Sequence, residues 1–325
     1  MTQLRFSKIA ADQVVKVPGW FVWCGSMVRT PDGTCHLFLS MWEEKWGFEY
    51  GWATHSKVGY ATCGEPGGRY EFRGVILEGS GVEGGFDRDS VHNPFAIWHK
   101  GRFYLYYSGN HGDGTYAVHT ANKHVGLASV ADPLGKWTRS DTPLFAPRPG
   151  AFDESGTTNP SVCRAPDGRF VMVYKCWSKE PPFNDRVSIG AAFADRPEGP
   201  WRRLDSPIFD APGVQFAAED PCVFSQGGKL HCLLKDMGSY YEPSVSRSIV
   251  CFDSDDGVTW RPGEPILFHT RELDFEQGGK RLVYRMERPF LYLENDRPQV
   301  FFTAVVPDED KSTSFNVHMA VAQAE

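Results

Sequence analysis

The stretch Phe152–Lys175, FDESGTTNPSVCRAPDGRFVMVYK, contains the unit that the rest of the chain repeats. Its first half, Phe152–Pro160, has a counterpart of equal length in Phe86–Pro94. Its second half, Val162–Gly168, aligns without a gap with Met27–Gly33. The unit therefore consists of a short apolar strand, usually introduced by proline, then a Gly turn and a second apolar strand.

The unit occurs five times along the chain. Its equivalent positions are Gly25, Pro94, Pro160, Pro221 and Pro289, which are 61 to 69 residues apart. Each copy carries several short strand signals, rich in β-branched and aromatic residues and bounded by Gly, Pro and Asp. No long segment has a 3.6-residue apolar period, so we expect helix to be nearly absent. A repeat of this length with several strands per copy predicts a β-propeller.

The fifth copy provides only three strand signals, the last of them at Phe315–Ala320. A further strand signal, Leu4–Ile9, precedes the first copy and belongs to no blade. Pairing it as the outer strand of blade five would complete that blade and cover an exposed sheet edge. We therefore predict an all-β fold, a single five-bladed β-propeller over residues 1–325 whose ring is closed by the N-terminal strand.

Composition narrows the classes of function. The 325 residues carry a net charge of -7 with acids and bases interleaved, which argues against nucleic acid as a partner. No apolar run has the length of a membrane span or a signal peptide, so we expect no membrane contact and a cytoplasmic protein, with export after loss of a leader as the alternative. The eight cysteines form no CxxC pair and are expected to be free thiols, and nothing in the sequence requires a cofactor or a metal.

Polar residues cluster where the predicted inner strands begin. In a propeller these ends converge on one face of the axis, so residues far apart in sequence become neighbours. The inner strands contribute Trp23, Ser26, His92, Asn93, Asn159, Glu219, Asp220, Glu287 and Arg288, and the second strands add Trp42, Lys175, Lys235 and Asp236. Carboxylates beside indoles and imidazole in a central funnel are typical of sugar binding, because hydroxyls need polar partners and the sugar ring needs an aromatic platform.

Strand alternation bears on the acids of blades four and five. Glu219 and Asp220 are adjacent, so in a regular strand their side chains diverge and only one would point at the axis. Glu287, in the neighbouring blade, would supply a partner carboxyl group, with Arg288 or Lys235 holding its charge.

The repeat, with Glu219-Asp220-Pro221 beginning its fourth copy, resembles the five-bladed glycoside hydrolases of families 43, 32, 117 and 130 over essentially the whole chain. The motifs most resemble those of family 43 and family 117. The resemblance implies an exo-acting, inverting glycosidase that takes a plant or algal oligosaccharide in an axial pocket.

The same resemblance implies roles for single residues. Family 43 makes Glu219 the general acid, whereas family 117 makes His92 a candidate for that role. Asp220 or Glu287 would be the base or the partner that tunes the pKa. Blade one departs from the family 43 pattern, because Cys24-Gly25 stands where that family has a base Asp. The expected binders of sugar hydroxyls are Asn93, Asn159, Lys175, Lys235, Asp236 and Arg288, with Trp23, Ser26 and Trp42 beside them.

Two alternatives remain open at this point. A phosphorylase similar to family 130 would need a phosphate site, for which Lys175, Lys235 and Arg288 are the candidates. A non-catalytic carbohydrate-binding propeller would explain the absence of the blade-one Asp. The oligomeric state leaves no signal in the sequence.

Overall fold

The computed structural model describes residues 4–323, in which five antiparallel sheets surround a common axis. The N-terminal segment provides β1 (Leu4–Phe6) and β2 (Val14–Val15). Blade one consists of β3 (Trp20–Arg29), β4 (Cys35–Glu43), β5 (Lys57–Cys63) and β6 (Glu71–Leu77). Blade two consists of β7 (Ser90–His99), β8 (Arg102–Asn110), β9 (Lys123–Val130) and β10 (Thr138–Arg139).

The remaining blades follow in chain order. Blade three consists of β11 (Gly156–Arg164), β12 (Phe170–Trp177), β13 (Ser188–Ala194) and β14 (Arg202–Arg203). Blade four consists of β15 (Ala218–Gln226), β16 (Lys229–Asp236), β17 (Ile249–Ser254) and β18 (Arg261–His269). A hairpin of β19 (Glu272–Phe275) and β20 (Gly279–Leu282) leads to blade five, whose strands are β21 (Arg285–Glu294), β22 (Arg297–Val306) and β23 (Phe315–Gln323).

The innermost strands form a closed circle of contacts. β3 touches β7, β7 touches β11, β11 touches β15, β15 touches β21, and β21 touches β3 again. At the outer edge of blade five, β1 pairs antiparallel with β23, with Arg5 opposite Ala322. β2 also pairs with β23, with Val14 opposite Val317. The predicted five-bladed propeller is thus confirmed, and residues from the two ends of the chain share one blade.

Glycines in the third strands let adjacent strands bury large rings. Gly126 lies opposite Tyr107, and Gly190 lies opposite Tyr174. A Cβ on either glycine would stand within about 2.7 Å of the facing tyrosine ring, closer than real contacts allow. Both tyrosines are fully buried. The small residue therefore leaves the space that the aromatic core of each blade fills.

A β-bulge interrupts every inner strand at the same place. The register shifts between Val22 and Gly25 in blade one, and at the matching positions of the other four blades. In those four blades the bulge residue has a left-handed backbone with φ between 51° and 58°, at Asn93, Asn159, Asp220 and Arg288. Asn and Asp tolerate this conformation well, whereas for Arg it is uncommon.

The bulges correct one alignment made from the sequence. Counting from the register shifts, Cys24 rather than Gly25 matches Pro94 and its counterparts, and Trp23 takes the place of Asn93. Trp23 lacks the left-handed backbone of the other bulge residues. Blade one therefore presents an indole and a thiol at the axis, and no carboxylate.

Helix is scarce, as expected, but what there is lies beside the axis. The loop after β4 contains α1 (Phe48–Thr54), and the loop after β8 contains α2 (Tyr116–Ala121). The Tyr50 hydroxyl donates to the Gly114 carbonyl at 3.0 Å, which joins the two loops. None of the described helices has the length and apolar character needed to cross a membrane. All eight cysteines are free.

Candidate functional site

A cavity of about 770 Å³ lies where the inner strands begin, and all five blades contribute to its lining. This is the volume range of small-molecule sites in proteins. Of the residues expected at the site, Trp23, Trp42, His92, Asn93, Asn159, Lys175, Glu219, Asp220, Glu287 and Arg288 line the cavity. The structure therefore brings together ten side chains that come from five separate parts of the chain.

A belt of side chains, one from each blade, crosses the axis, and all of its members except Cys24 line the cavity. We call it the axial belt: Cys24, Asn93, Asn159, Asp220 and Arg288. The Cys24 thiol donates to Asn93 Oδ1 at 3.4 Å, and Asn93 Nδ2 donates to Asn159 Oδ1 at 2.6 Å. Asn159 Nδ2 donates to Asp220 Oδ1 at 2.7 Å. The Arg288 amide and guanidinium donate to Asp220 at 3.1 and 3.3 Å. The left-handed bulges turn four of these side chains toward one another.

Glu219 and Asp220 both line the cavity, so the expectation that only one of them faces the axis is wrong. The reason is the bulge, because the φ of 58° at Asp220 breaks the alternation of a regular strand. With Glu287 from blade five they form a cluster in which one carboxyl oxygen of each lies within 4.8 Å of the others.

The environment favours the ionised form of Glu219. Lys175 Nζ lies 2.7 Å from Glu219 Oε2, and both side chains are largely shielded from solvent. Burial by itself raises the pKa of Glu219, but the Lys175 ammonium, with Lys123 and Lys235 farther away, lowers that pKa below its ordinary value. Glu219 is therefore a carboxylate at neutral pH.

The environment favours the protonated form of Glu287. Burial, followed by the charges of Glu219 and Asp220, raises the pKa of Glu287 to about 7. Burial and the Glu219 charge likewise raise the pKa of Asp220, an effect that Arg288 opposes. Glu219 and Glu287, whose carboxyl oxygens lie within 4.8 Å, thus have pKa values displaced in opposite directions, a pattern typical of acid and base pairs in enzymes.

His92 is neutral in this site. Burial, and then the positive charges of Lys123, Arg288 and Lys175, hold its pKa well below the ordinary value. Its Nδ1 atom lies 2.7 Å from the Ser56 hydroxyl. An imidazole with this pKa holds no proton of suitable acidity at neutral pH, so it is suited to hydrogen bonding rather than to acid catalysis.

An aromatic wall covers one side of the cavity. Trp23 and Trp42 pack against Phe48 of α1 with ring centroids 5.3 Å apart in both pairs. Trp52, also from α1, lies 5.5 Å from the His92 ring. The Glu49 carboxylate receives hydrogen bonds from Arg285 at 2.6 Å and Lys311 at 2.7 Å, which fasten α1 to blade five.

Three expected residues do not line the cavity. The Ser26 hydroxyl accepts the Ala96 amide of the next blade at 2.9 Å. Lys235 is fully buried and donates to the Arg247 and Met286 carbonyls. Asp236 accepts the amides of Tyr240, Tyr241 and Glu242, each at 2.9 Å. Ser26 thus connects blades, Lys235 holds the loops beneath the cavity, and Asp236 organises the loop after β16.

Several lining residues escaped the sequence analysis. They include Phe48, Glu49, Trp52, Tyr116, Lys123, Phe216, Tyr284 and Arg285. Most lie in insertions after second strands or between blades, where the repeat gives no alignment. Lys123 offered one signal, since it precedes the repeated third-strand motif of Val125-Gly126 by two positions.

Two clusters among the described residues have the composition of a metal site. The first is the acidic trio of Glu219, Asp220 and Glu287, but Lys175 and Arg288 already neutralise two of these carboxylates. The second, His231 with Cys251 and Asp253, lies on blade four, and His231 Nδ1 is 2.6 Å from Asp253. Internal partners therefore satisfy the groups that would bind a cation in both places.

Comparison with known proteins gives structural relatives only, since no family model and no curated protein matches the chain. A family 117 glycoside hydrolase from the marine bacterium Zobellia galactanivorans aligns at 15% identity with a TM-score of 0.70, over 99% of this chain and 91% of that one. A thermostable family 43 glycoside hydrolase aligns at 14% identity and a TM-score of 0.67, over 93% and 89%.

A family 43 enzyme from Xanthomonas citri, solved with xylotriose, aligns at 15% identity and a TM-score of 0.62, over 96% of this chain and 90% of that one. Identities this low establish a common fold and leave activity to be argued from the site. The chain therefore has the fold of the family 43 and family 117 glycoside hydrolases, as its sequence repeats predicted.

Proposed function

We propose that this protein is a glycoside hydrolase that removes a terminal sugar from an oligosaccharide or glycoside bound in the axial cavity. The observation that carries the proposal is the pair of Glu219 and Glu287. Their carboxyl oxygens lie within 4.8 Å, and their pKa values are displaced in opposite directions. Glycosidases require two such groups beside the scissile bond.

The spacing of the pair supports retention of anomeric configuration, in place of the inversion expected from the resemblance. Inverting enzymes hold their carboxyl groups about 6.5–9.5 Å apart to admit a water, whereas retaining enzymes hold them about 5–5.5 Å apart. A carboxyl oxygen of Glu219 and one of Glu287 lie within 4.8 Å of each other, which is below the range of inverting enzymes.

The proposed roles follow from the charges. Glu287, with a pKa of about 7, holds the proton for the leaving oxygen. Glu219, ionised beside Lys175, is the nucleophile. The family 43 resemblance suggested the reverse for Glu219 and the family 117 resemblance suggested His92 as acid, but Glu219 has a lowered pKa and His92 is neutral. We assign His92, Asn93 and Asn159 to hydrogen bonds with sugar hydroxyls.

The reaction then has two steps. A Glu219 oxygen attacks the anomeric carbon while the glycosidic C–O bond breaks and the leaving oxygen takes the Glu287 proton. In the second step the Glu287 carboxylate accepts a proton from water, the water oxygen bonds to the anomeric carbon, and the bond to Glu219 breaks. Asp220 and Arg288 act beneath the pair, where Asp220 helps to keep the pKa of Glu287 high.

Exo action is supported by the shape of the cavity. The axial belt closes its floor with hydrogen bonds from blade to blade, and α1 closes one side. A polysaccharide chain could not pass through such a site, whereas a terminal sugar could enter and lie against Trp23, Trp42 or Trp52.

Kinetics with glycosides of different leaving groups tests the assignment. For alkyl glycosides we expect Glu287→Gln to lower kcat/KM by about 10²–10⁴-fold, and for dinitrophenyl glycosides, whose leaving group needs no proton, far less. Azide should restore turnover of the dinitrophenyl substrate and give a glycosyl azide. Glu294→Gln, on the same strand but outside the cavity, is the matched control. An inverted first product by NMR, or Glu287→Gln activity equal to the control, would refute the proposal.

A phosphorylase is the second candidate, and the excess of basic residues around the cavity favours it. The three residues expected to bind phosphate are occupied, however: Lys175 pairs with Glu219, Arg288 with Asp220, and Lys235 with two carbonyls. Turnover that requires phosphate would support this candidate. Sugar binding without any turnover, unchanged in Glu219→Gln, would instead favour the non-catalytic binding propeller.

A further inference from the structure

The cavity contains a lysine that the proposed reaction does not use. Lys123, the first residue of β9, lines the cavity, and its Nζ lies 4.0 Å from the centre of the Trp52 ring. Lys175, on β12 of blade three, forms an ion pair with Glu219, with 2.7 Å between Nζ and Oε2. Among residues 4–323, by contrast, no carboxylate lies within ion-pair distance of the Lys123 ammonium.

Packing alone does not account for this arrangement. A cation over an aromatic ring gains only a modest free energy, whereas Lys123 is partly buried, and withdrawing an ammonium from water without an anionic partner is costly. Burial and the neighbouring charge of Lys175 lower the pKa of Lys123 well below its ordinary value, which expresses the same deficit of negative charge. Glu219 and Asp220 attract it only from a distance.

The balance of charges around the cavity also indicates that an anion is missing. When Glu287 is protonated, the six basic side chains of the lining outnumber its four carboxylates, so the cavity keeps a net positive charge; the bases are Lys123, Lys175, Lys179, Arg247, Arg285 and Arg288, and the acids are Glu49, Asp185, Glu219 and Asp220. Among the described basic residues of the lining that have no carboxylate partner, Lys123 is the one that is partly buried, and it stands against the aromatic wall, where Trp52 meets His92 and Tyr116. An anion bound at that point would be paired with Lys123 in a shielded environment.

We propose that Lys123 and His92 form an oxyanion subsite beside the Trp52 ring, whose indole N–H donates to Glu49. The subsite takes a carboxylate or sulfate group carried by the sugar in the cavity or else free phosphate. This inference rests on the proposed function only in taking the ligand of the cavity to be a sugar. The oxyanion subsite itself would exist whether or not a glycosidic bond is cleaved. If the anion is part of the substrate, the protein acts on acidic sugars. If it is free phosphate, the glycosyl group is transferred to a phosphate oxygen in place of water, and the leaving oxygen departs with the proton from Glu287.

Calorimetric titration of Glu287→Gln, which cannot turn substrate over efficiently, measures binding apart from catalysis. The probes are glucuronate and galacturonate against glucose and galactose, galactose 6-sulfate, and inorganic phosphate and sulfate. We expect at least one anionic probe to bind more tightly than its neutral counterpart. A second substitution, Lys123→Met, should weaken the binding of that anionic probe about 10- to 100-fold, as expected for the loss of a shielded charge-assisted hydrogen bond.

Two further variants make the test specific. Lys123→Arg should keep the preference for anions, and Lys136→Met, an exposed lysine of blade two, should leave all affinities unchanged. Tight binding of an acidic sugar with weak phosphate binding assigns the subsite to the substrate, whereas tight phosphate binding with phosphate-dependent product release assigns it to phosphorolysis. If no anionic probe binds better than its neutral counterpart, or if Lys123→Met leaves the anion preference intact, the inference is wrong. Intact anion binding in a protein inert toward all glycosides would refute the proposed function alone.

Discussion

The raised pKa of Glu287 predicts that Glu287→Gln stabilises the protein at alkaline pH. The pKa of Glu287 is about 7 in the folded protein against 4.5 for an ordinary Glu. Folding therefore favours the protonated form, so the stability present at acid pH is lost as the pH rises from 4.5 through 7. At about 1.4 kcal/mol per pH unit, this interval amounts to about 3 kcal/mol.

Glutamine has nearly the same shape and no proton to lose, so it escapes this cost. Above pH 8 we expect the free energy of unfolding of Glu287→Gln to exceed that of the wild type by up to about 3 kcal/mol. For 325 residues this corresponds to a rise in Tm of about 4 to 5 °C. Near pH 4, where Glu287 is protonated in both folded and unfolded wild type, the two proteins should be equally stable.

Urea unfolding followed by tryptophan fluorescence at pH 4.5, 6, 7 and 8.5 measures the difference directly. Glu294→Gln, at the other end of β21 and paired with Arg29, is the control and should gain no stability at high pH. A pH-independent difference between Glu287→Gln and wild type, or a loss of stability at pH 8.5, would show that Glu287 is not held protonated by its surroundings. The assignment of Glu287 as the general acid would then be wrong as well.

Three more predictions follow from the same site. The value of kcat/KM should fall about tenfold per pH unit above pH 7 as Glu287 ionises. Asp220→Asn should move this fall to lower pH, because the Asp220 charge raises the pKa of Glu287. An alkaline limb that the substitution leaves in place would contradict this prediction. Lys175→Met should shift the acid limb to higher pH, since Lys175 lowers the pKa of Glu219; an unchanged acid limb would remove Glu219 from its role. Asn159→Ala should lower the free energy of unfolding by about 1–3 kcal/mol, because it removes two buried hydrogen bonds and leaves the Asn93 amide without its acceptor. Urea unfolding without loss would mean that the axial belt is dispensable.

The axial belt illustrates how a repeat in sequence becomes a site. Asn93, Asn159, Asp220 and Arg288 occupy the same bulge position in four blades, and each has a left-handed backbone. A sequence repeat can indicate that these residues are equivalent. It cannot indicate that their side chains bond to one another, because the distance between blades depends on how the sheets pack around the axis.

The pair of Glu219 and Asp220 marks where local reasoning failed. Alternation along a regular strand would send the two side chains apart, and one residue with φ of 58° is enough to bring both into the cavity. Bulges of this kind have no reliable signature in a single sequence, since Asp-Pro occurs equally in turns. Lys235 and Asp236 were expected in the cavity and do not line it for another reason. Nothing in the local sequence distinguishes a side chain that bonds to neighbouring loops from one that faces the cavity.

The sequence alone determined the number of blades, the start of the inner strands in blades two to five and the concentration of polar residues at one end of the axis. These features follow from local patterns that recur, and each copy supports the others. Only the tertiary structure decided which carboxyl group keeps its proton, which lysine lacks a counter-charge and which loops form the wall. Those properties depend on burial and on charges contributed by neighbouring blades, and a pKa responds to distances in space that the order of residues along the chain does not contain.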